Sequence, residues 1–114
     1  MEKCIFCKII NKDIPATIIY EDDLITVFED INPKAPVHIL LIPKEHFASL
    51  NDIPEDKKEL IGHILLKAKE IAHEKNIAEK GYRLVLNTGR DSGQDVHHIH
   101  FHLLGGRQMS WPPG

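Results

Sequence analysis

Residues 97 to 104 read His97-His98-Ile99-His100-Phe101-His102-Leu103-Leu104, and this stretch decides the fold. Half of the chain's eight histidines fall in it. From His98 onward, imidazoles alternate with Ile99, Phe101 and Leu103. Side chains on a strand alternate faces with a period of two, so a strand here carries three imidazoles on one face and apolar groups on the other. A helix would scatter the same rings around its axis. Successive same-face residues lie roughly 7 Å apart at their Cα atoms, which suits rings converging on one small anionic group better than three ligands on one metal. An expression tag or an inert polar edge strand also concentrates histidine. The interleaved apolar residues, and the residues that follow, argue against a tag, and titratable clusters commonly mark function.

Outward from this strand, the chain reads as an α+β domain on an antiparallel sheet. Five strands are predicted: Ala16–Tyr20, Leu24–Glu29, Val37–Ile42, Tyr82–Asn87 and His98–Leu104. Pro36 and Pro43 bound the third, which carries His38 at its start. Asn32-Pro33 marks a turn, because a residue before proline is driven out of helical geometry. Residues 4 to 11 form a short helix or turn. The one long helix is predicted from about Pro54 to Asn76, with Glu55 and Asp56 at the positive end of its dipole. Leu60, Ile61, Ile64, Leu65, Ala68, Ile71 and Ala72 make its apolar stripe. His63 and His73, on the same helix, read as surface or boundary residues.

With 114 residues, 42% of them hydrophobic, the chain fits one soluble domain spanning 1–114. A net charge of −3 gives no reason to expect nucleic-acid binding. No apolar stretch approaches membrane-spanning length, and the start, Met1-Glu2-Lys3-Cys4, lacks signal-peptide architecture, so an intracellular, cytoplasmic protein is expected. Cys4 and Cys7 form a Cys-x-x-Cys pair, which in a reducing compartment reads as metal ligands or a redox pair. By itself the pair is a weak zinc signal, since it supplies two of four ligands. Two small core cysteines are the plain alternative. Gly93-Gln94-Asp95-Val96, just before the histidines, is either an ordinary turn or a loop whose amide N–H groups cradle an anion.

The segment His98-Ile-His100-Phe-His102-Leu-Leu resembles the His-x-His-x-His-x-x signature of the histidine-triad superfamily of nucleotide hydrolases and transferases. Cys4 to Asp30, Ala35-Pro36-Val37-His38 and the ending Gly105-Gly-Arg-Gln-Met-Ser-Trp111-Pro-Pro-Gly114 are similar to its Hint branch. The resemblance implies a homodimer with one larger sheet across two chains. It divides the chain into an N-terminal segment, 1–15, a body, and a tail, 105–114, at the dimer interface, where Trp111 tunes substrate preference.

It also implies roles. His100 is the nucleophile, forming a histidyl–nucleotide intermediate. His102 contacts phosphate and protonates the leaving group, and His38 belongs to the proton relay. Asp30 and Ile31 form the nucleoside pocket. Asn87, Gly93, Gln94 and Asp95 lie at the phosphate. Position 95 departs from the animal Hint pattern, which has serine there. A carboxylate facing phosphate is repulsive, so Asp95 is expected to turn its side chain away, the loop being one place for it, and leave its backbone N–H for the anion. Related bacterial proteins and galactose-1-phosphate uridylyltransferases bind structural zinc, so Cys4, Cys7, His46 and His98 are the expected zinc ligands, with no catalytic metal. The implied activity is hydrolysis of purine nucleoside 5′-phosphoramidates. The alternatives are a dinucleoside polyphosphate hydrolase of the Fhit kind, or a nucleotide-binding scaffold with weak catalysis. The ending favours Hint.

Overall fold

The computed structural model describes residues 3–114; Met1 and Glu2, part of the start read above, lie outside them. Its elements are α1 (Ile5–Ile10), β1 (Ile18–Glu21), β2 (Ile25–Glu29), β3 (Val37–Pro43), α2 (Lys58–Glu74), β4 (Tyr82–Leu86) and β5 (Phe101–Gly105). The strands form one antiparallel sheet in the order β1-β2-β3-β5-β4. Short 3-10 turns at Leu50–Asp52, Glu55–Lys57 and Arg90–Ser92 complete the connections.

Period-two alternation divides the sheet's residues between two sides. Ile25, Val27, Ile39, Leu41, Phe101 and Leu103 pack with Leu60, Ile64, Ala68, Ile71 and Ala72 of α2. Phe28, Leu40 and Ile42 point the other way, against Phe6 and Ile9 of α1. The register pairs Leu40 with His102 across β3 and β5, so His102 emerges on the α1 side. The sheet therefore separates the large core from the histidines.

Local chemistry sets the ends of these elements. The Cys4 side chain caps α1 by accepting from the Cys7 backbone N–H at 3.4 Å. Asp22 Oδ1 accepts from the N–H groups of Leu24 (2.8 Å) and Ile25 (2.9 Å), closing the β1–β2 turn as an Asx turn. Gly106 has φ +91°, and a Cβ there would meet Pro36 Cβ at 2.9 Å, so glycine answers both backbone and packing at the end of β5.

Three elements start two or more residues later than the sequence reading has them. The last strand begins at Phe101, not His98. Residues 98–100 stay outside the ladder because other groups hold them: Ile99 N–H donates to Phe47 O at 2.7 Å, and the rings of His98 and His100 both bond backbone carbonyls. The face alternation survives. The first strand begins at Ile18 rather than Ala16. The long helix starts at Lys58, because Glu55–Lys57 tightens into a 3-10 turn after Pro54. Its buried stripe is also narrower, since Leu65 is exposed. His73 is on the surface, as expected. His63 is half-buried and sits 2.6 Å from Asp22 Oδ2, which also accepts from Tyr20 O–H at 2.7 Å, tying α2 to the β1–β2 turn. No helix among the described residues is long and apolar enough to cross a membrane.

Candidate active site and metal centre

His38 at the start of β3 and His102 in β5 stand on adjacent strands, two residues apart in register and therefore on the same face. Their ring nitrogens are 2.9 Å apart, His38 Nε2 to His102 Nδ1. The hydrogen-bond network assigns every proton. The Lys34 backbone N–H donates to His38 Nδ1 at 3.0 Å, so that nitrogen is an acceptor and the neutral ring carries its proton on Nε2. His38 Nε2–H donates to His102 Nδ1, which leaves the His102 proton on Nε2. Asp30 Oδ2 lies 3.4 Å from His38 Nε2 and gives the pair a neighbouring negative charge.

His100 is nearly fully buried. Its Nδ1–H donates to the carbonyl of His98 at 2.8 Å, which puts the lone pair on Nε2. Phe6 packs edge-on against the His100 ring at 5.1 Å between centroids, and His102 lies 4.9 Å away on the other side. The result is a free lone pair on His100 Nε2 beside an N–H on His102 Nε2. That combination suits nucleophilic attack followed by protonation of a leaving group.

Burial favours the neutral form of the His102 and His38 rings. Burial, reinforced by the neighbouring rings of His100 and His38, pushes His102 down to about 4, against the opposing carboxylates of Asp30 and Asp95. Burial also lowers His38; Asp30 opposes this and the Lys34 charge adds to it.

His100 and His102 open into a cleft of about 280 Å³ on the α1 side of the sheet. Its walls are mostly apolar, with Ile5, Phe6 and Ile9 of α1 facing Phe28 and Leu40 of the sheet. Asp30, Ile31 and Asp95 line it, as the resemblance implies; Ile31 is 92% exposed at the rim. Other expected members do not line it. Asn87 sits just past β4, and Trp111 is 83% exposed on the tail. Gly93 adopts a left-handed conformation, φ +87°, that ends the Arg90–Ser92 turn. Its N–H donates to Arg90 O, and the Gln94 N–H donates to Gly89 O, so both amides are already engaged within the loop. The Gln94 side chain ties the loop down, accepting from Gly89 N–H and donating to Ala48 O and Val96 O.

Asp95 corrects an expectation. It does not fold its carboxylate back onto the loop; Oδ1 lies 3.7 Å from His100 Nε2, with the side chain 80% exposed. The sequence reading also missed the apolar wall from α1. Its signal was present, since Ile5, Phe6 and Ile9 share one helical face.

A second cluster includes His98, two residues before His100. Cys4, Cys7, His46 and His98 each offer a ligand atom, all within 4.8 Å of one another, and together they can hold a metal ion. Three of the four sulfur–nitrogen separations are 3.3, 3.5 and 3.6 Å, and the two Nδ1 atoms are 3.1 Å apart. A tetrahedral ion with bonds of 2.0–2.3 Å needs ligand separations of about 3.3–3.8 Å, so these separations lie close to what one needs. His98 Nε2–H donates to Pro43 O at 2.9 Å, which fixes the tautomer and leaves Nδ1 for a metal. Burial, with Cys4 alongside, pushes the Cys7 thiol up to about 11. Ionising both thiols side by side here would need a cation between them.

These features, a five-stranded antiparallel sheet with His38, His100 and His102 hydrogen-bonded at one cleft, define a class. The chain belongs to the histidine-triad (HIT) family. The family model described as "Scavenger mRNA decapping enzyme C-term binding" matches residues 3–111. An uncharacterized HIT-like protein of Synechocystis sp. is 53% identical over 99% of this chain and 98% of its own length. The purine nucleoside phosphoramidase of Escherichia coli is 49% identical over 95% of this chain and 91% of its own. Among solved structures, a HIT family hydrolase from Legionella pneumophila superposes with a TM-score of 0.96 at 54% identity, covering 98% of this chain and 100% of that one.

Proposed function

We propose that this protein hydrolyses purine nucleoside 5′-phosphoramidates to the nucleoside monophosphate and an amine. The observation that carries the reading is the pairing of a lone pair on His100 Nε2 with an N–H on His102 Nε2 at one cleft. The 49% identity to the Escherichia coli enzyme supports it.

In this reading the nucleoside lies along the apolar wall of α1, and the Asp30 carboxylate accepts from ribose hydroxyls. The anionic phosphoryl group sits between His100 and His102, with the Asp95 backbone N–H free to meet it. An anion there favours the protonated form of nearby imidazoles, so one proton is taken up with substrate onto the His38–His102 pair beside Asp30. His100 Nε2 attacks phosphorus and the N–P bond to the enzyme forms. The P–N bond of the substrate breaks, its electron pair goes to the departing nitrogen, and His102 protonates the amine. Water then attacks phosphorus, the histidyl–phosphorus bond breaks, its pair returns to Nε2, and the proton from water is released through His102. The site does this with imidazoles alone.

The ion at Cys4, Cys7, His46 and His98 is zinc in this reading. Four protein ligands leave no open position, so its role is to hold α1 against the segment that carries His98 and His100. The chain acts as a cytoplasmic homodimer. An open β4 edge and the exposed Leu65, Leu66 and Leu84 support an apolar contact between copies. The 105–114 tail, with Trp111, reaches the partner's site.

Rapid-quench mass analysis with an adenosine 5′-phosphoramidate tests the activity. A nucleotide adduct mapped to His100, with amine release, is expected. Cleavage of diadenosine polyphosphate with no phosphoramidate turnover would instead identify a polyphosphate hydrolase, and inactivity on both would identify a binding protein.

A further inference from the structure

The cleft that receives an anionic phosphoryl group carries no lysine or arginine among its described lining residues. Its charged residues are Glu29, Asp30 and Asp95, all acidic. Lys34, whose charge is felt at His38, does not line it. Asp30 is accounted for by the relay, because it lies 3.4 Å from His38 Nε2 and its Oδ1 accepts from Asn32 N–H at 2.8 Å. Asp95 has no such partner: its carboxylate makes no hydrogen bond among the described residues, stands at the solvent mouth, and approaches the attacking nitrogen to 3.7 Å. In an attack-ready complex phosphorus lies about 3–3.5 Å from that nitrogen. In-line departure places the breaking bond about 5 Å from His100 Nε2, so the Asp95 carboxylate, 3.7 Å from the same nitrogen, lies no more than about 9 Å from the departing nitrogen, within a Debye length.

We propose that Asp95 is a specificity residue that sorts leaving groups by charge. It favours phosphoramidates whose amine bears a second, cationic centre, and it disfavours leaving groups that carry further phosphate charge. This rests on the phosphoramidase reading above and names the leaving group within it. The physical basis is Coulombic. A unit charge about 6 Å from a solvent-exposed carboxylate, at an effective dielectric of roughly 40–80, changes a rate by about three- to tenfold. The effect has opposite signs for ammonium and phosphate, and added salt screens both.

The test compares adenosine 5′-phosphoramidates of 1,4-diaminobutane and n-pentylamine, which match in length and differ in charge, with diadenosine triphosphate as a polyphosphate. The ratio of kcat/KM for the diamine to that for pentylamine is expected to be about three to ten in the unmodified protein and to fall on raising salt. Asp95→Asn brings the ratio to about one and raises diadenosine triphosphate cleavage relative to the pentylamine substrate. Asp95→Glu keeps the preference of the unmodified protein. An Asp95→Asn protein that retains the original ratio, or an unmodified protein with a ratio of one, overturns the charge filter while leaving the phosphoramidase reading intact. Failure of the unmodified protein to cleave either phosphoramidate overturns both.

Discussion

His38 shows how a single backbone contact fixes chemistry at the residue scale. Because the Lys34 N–H occupies its Nδ1, it can only donate through Nε2, and that donation decides which nitrogen of His102 faces the cleft. Replacing His38 with Asn removes the relay while leaving the nucleophile in place. The expected outcome is a fall of about 10²–10⁴-fold in kcat for an alkylamine phosphoramidate. The loss should be much smaller for an arylamine, which departs with less need of a proton, so kcat across a series of amines reads out the relay. Burial of His102 has a separate consequence for stability. Above pH ~6.5 the folded and unfolded chains both hold this ring neutral. As pH falls, the unfolded chain takes up its proton first, since the folded value is about 4, and stability declines from pH ~6.5 down to about 4. Urea midpoints at pH 7, 5.5 and 4 should fall in that order, with a shallower decline in His102→Asn. Asp22, whose carboxyl is held low by Tyr20, His63 and two backbone N–H groups despite its burial, adds its own loss only below pH ~4.

At the scale of elements, α1 joins the two clusters. Cys4 and Cys7 from its first turn meet His98, and Phe6 from the same turn packs against both His98 and His100. A metal at the four-residue cluster would clamp a helix of six residues, too short to be stable alone, onto the segment that carries His98 and His100. Removing the metal with a chelator is expected to lower Tm by several degrees and to raise amide exchange across residues 4–10. Cys4→Ser should show the lowered Tm with no added chelator. An unchanged Tm and exchange pattern in both cases would mean that packing alone holds α1.

For the whole molecule, the sheet ends at β4, whose outer edge is unpaired among the described residues. Leu84 on that strand and Leu65 and Leu66 on α2 expose apolar surface. Sedimentation at micromolar concentration is expected to give the mass of two chains. Leu66→Glu together with Leu84→Lys, both on exposed positions, should give one chain with the fold preserved. If Trp111 reaches the partner's cleft, that monomer will also change its KM for bulky amines more than for ammonia.

The alternation from His98 to Leu103 determined by itself that three imidazoles share a face, because the pleat of an extended chain leaves no other arrangement. Cys-x-x-Cys, the α2 stripe around Ile64 and Ile71, and the proline-bounded Val37–Ile42 run were legible for similar local reasons. The strand's true start at Phe101 was not, because it depends on Phe47 and Pro43 carbonyls brought from distant segments. Nor was the direction of Asp95: the sequence predicted repulsion from a phosphate, but only the tertiary structure shows which neighbours the carboxylate has. The proton positions on His38, His100 and His102 belong to the same class. Those of His38 and His100 follow from contacts with backbone groups, which carry no sequence signature, and that of His102 follows from His38. Sequence supplied the imidazoles and their shared face; tertiary structure decided which nitrogen of each ring is free to react.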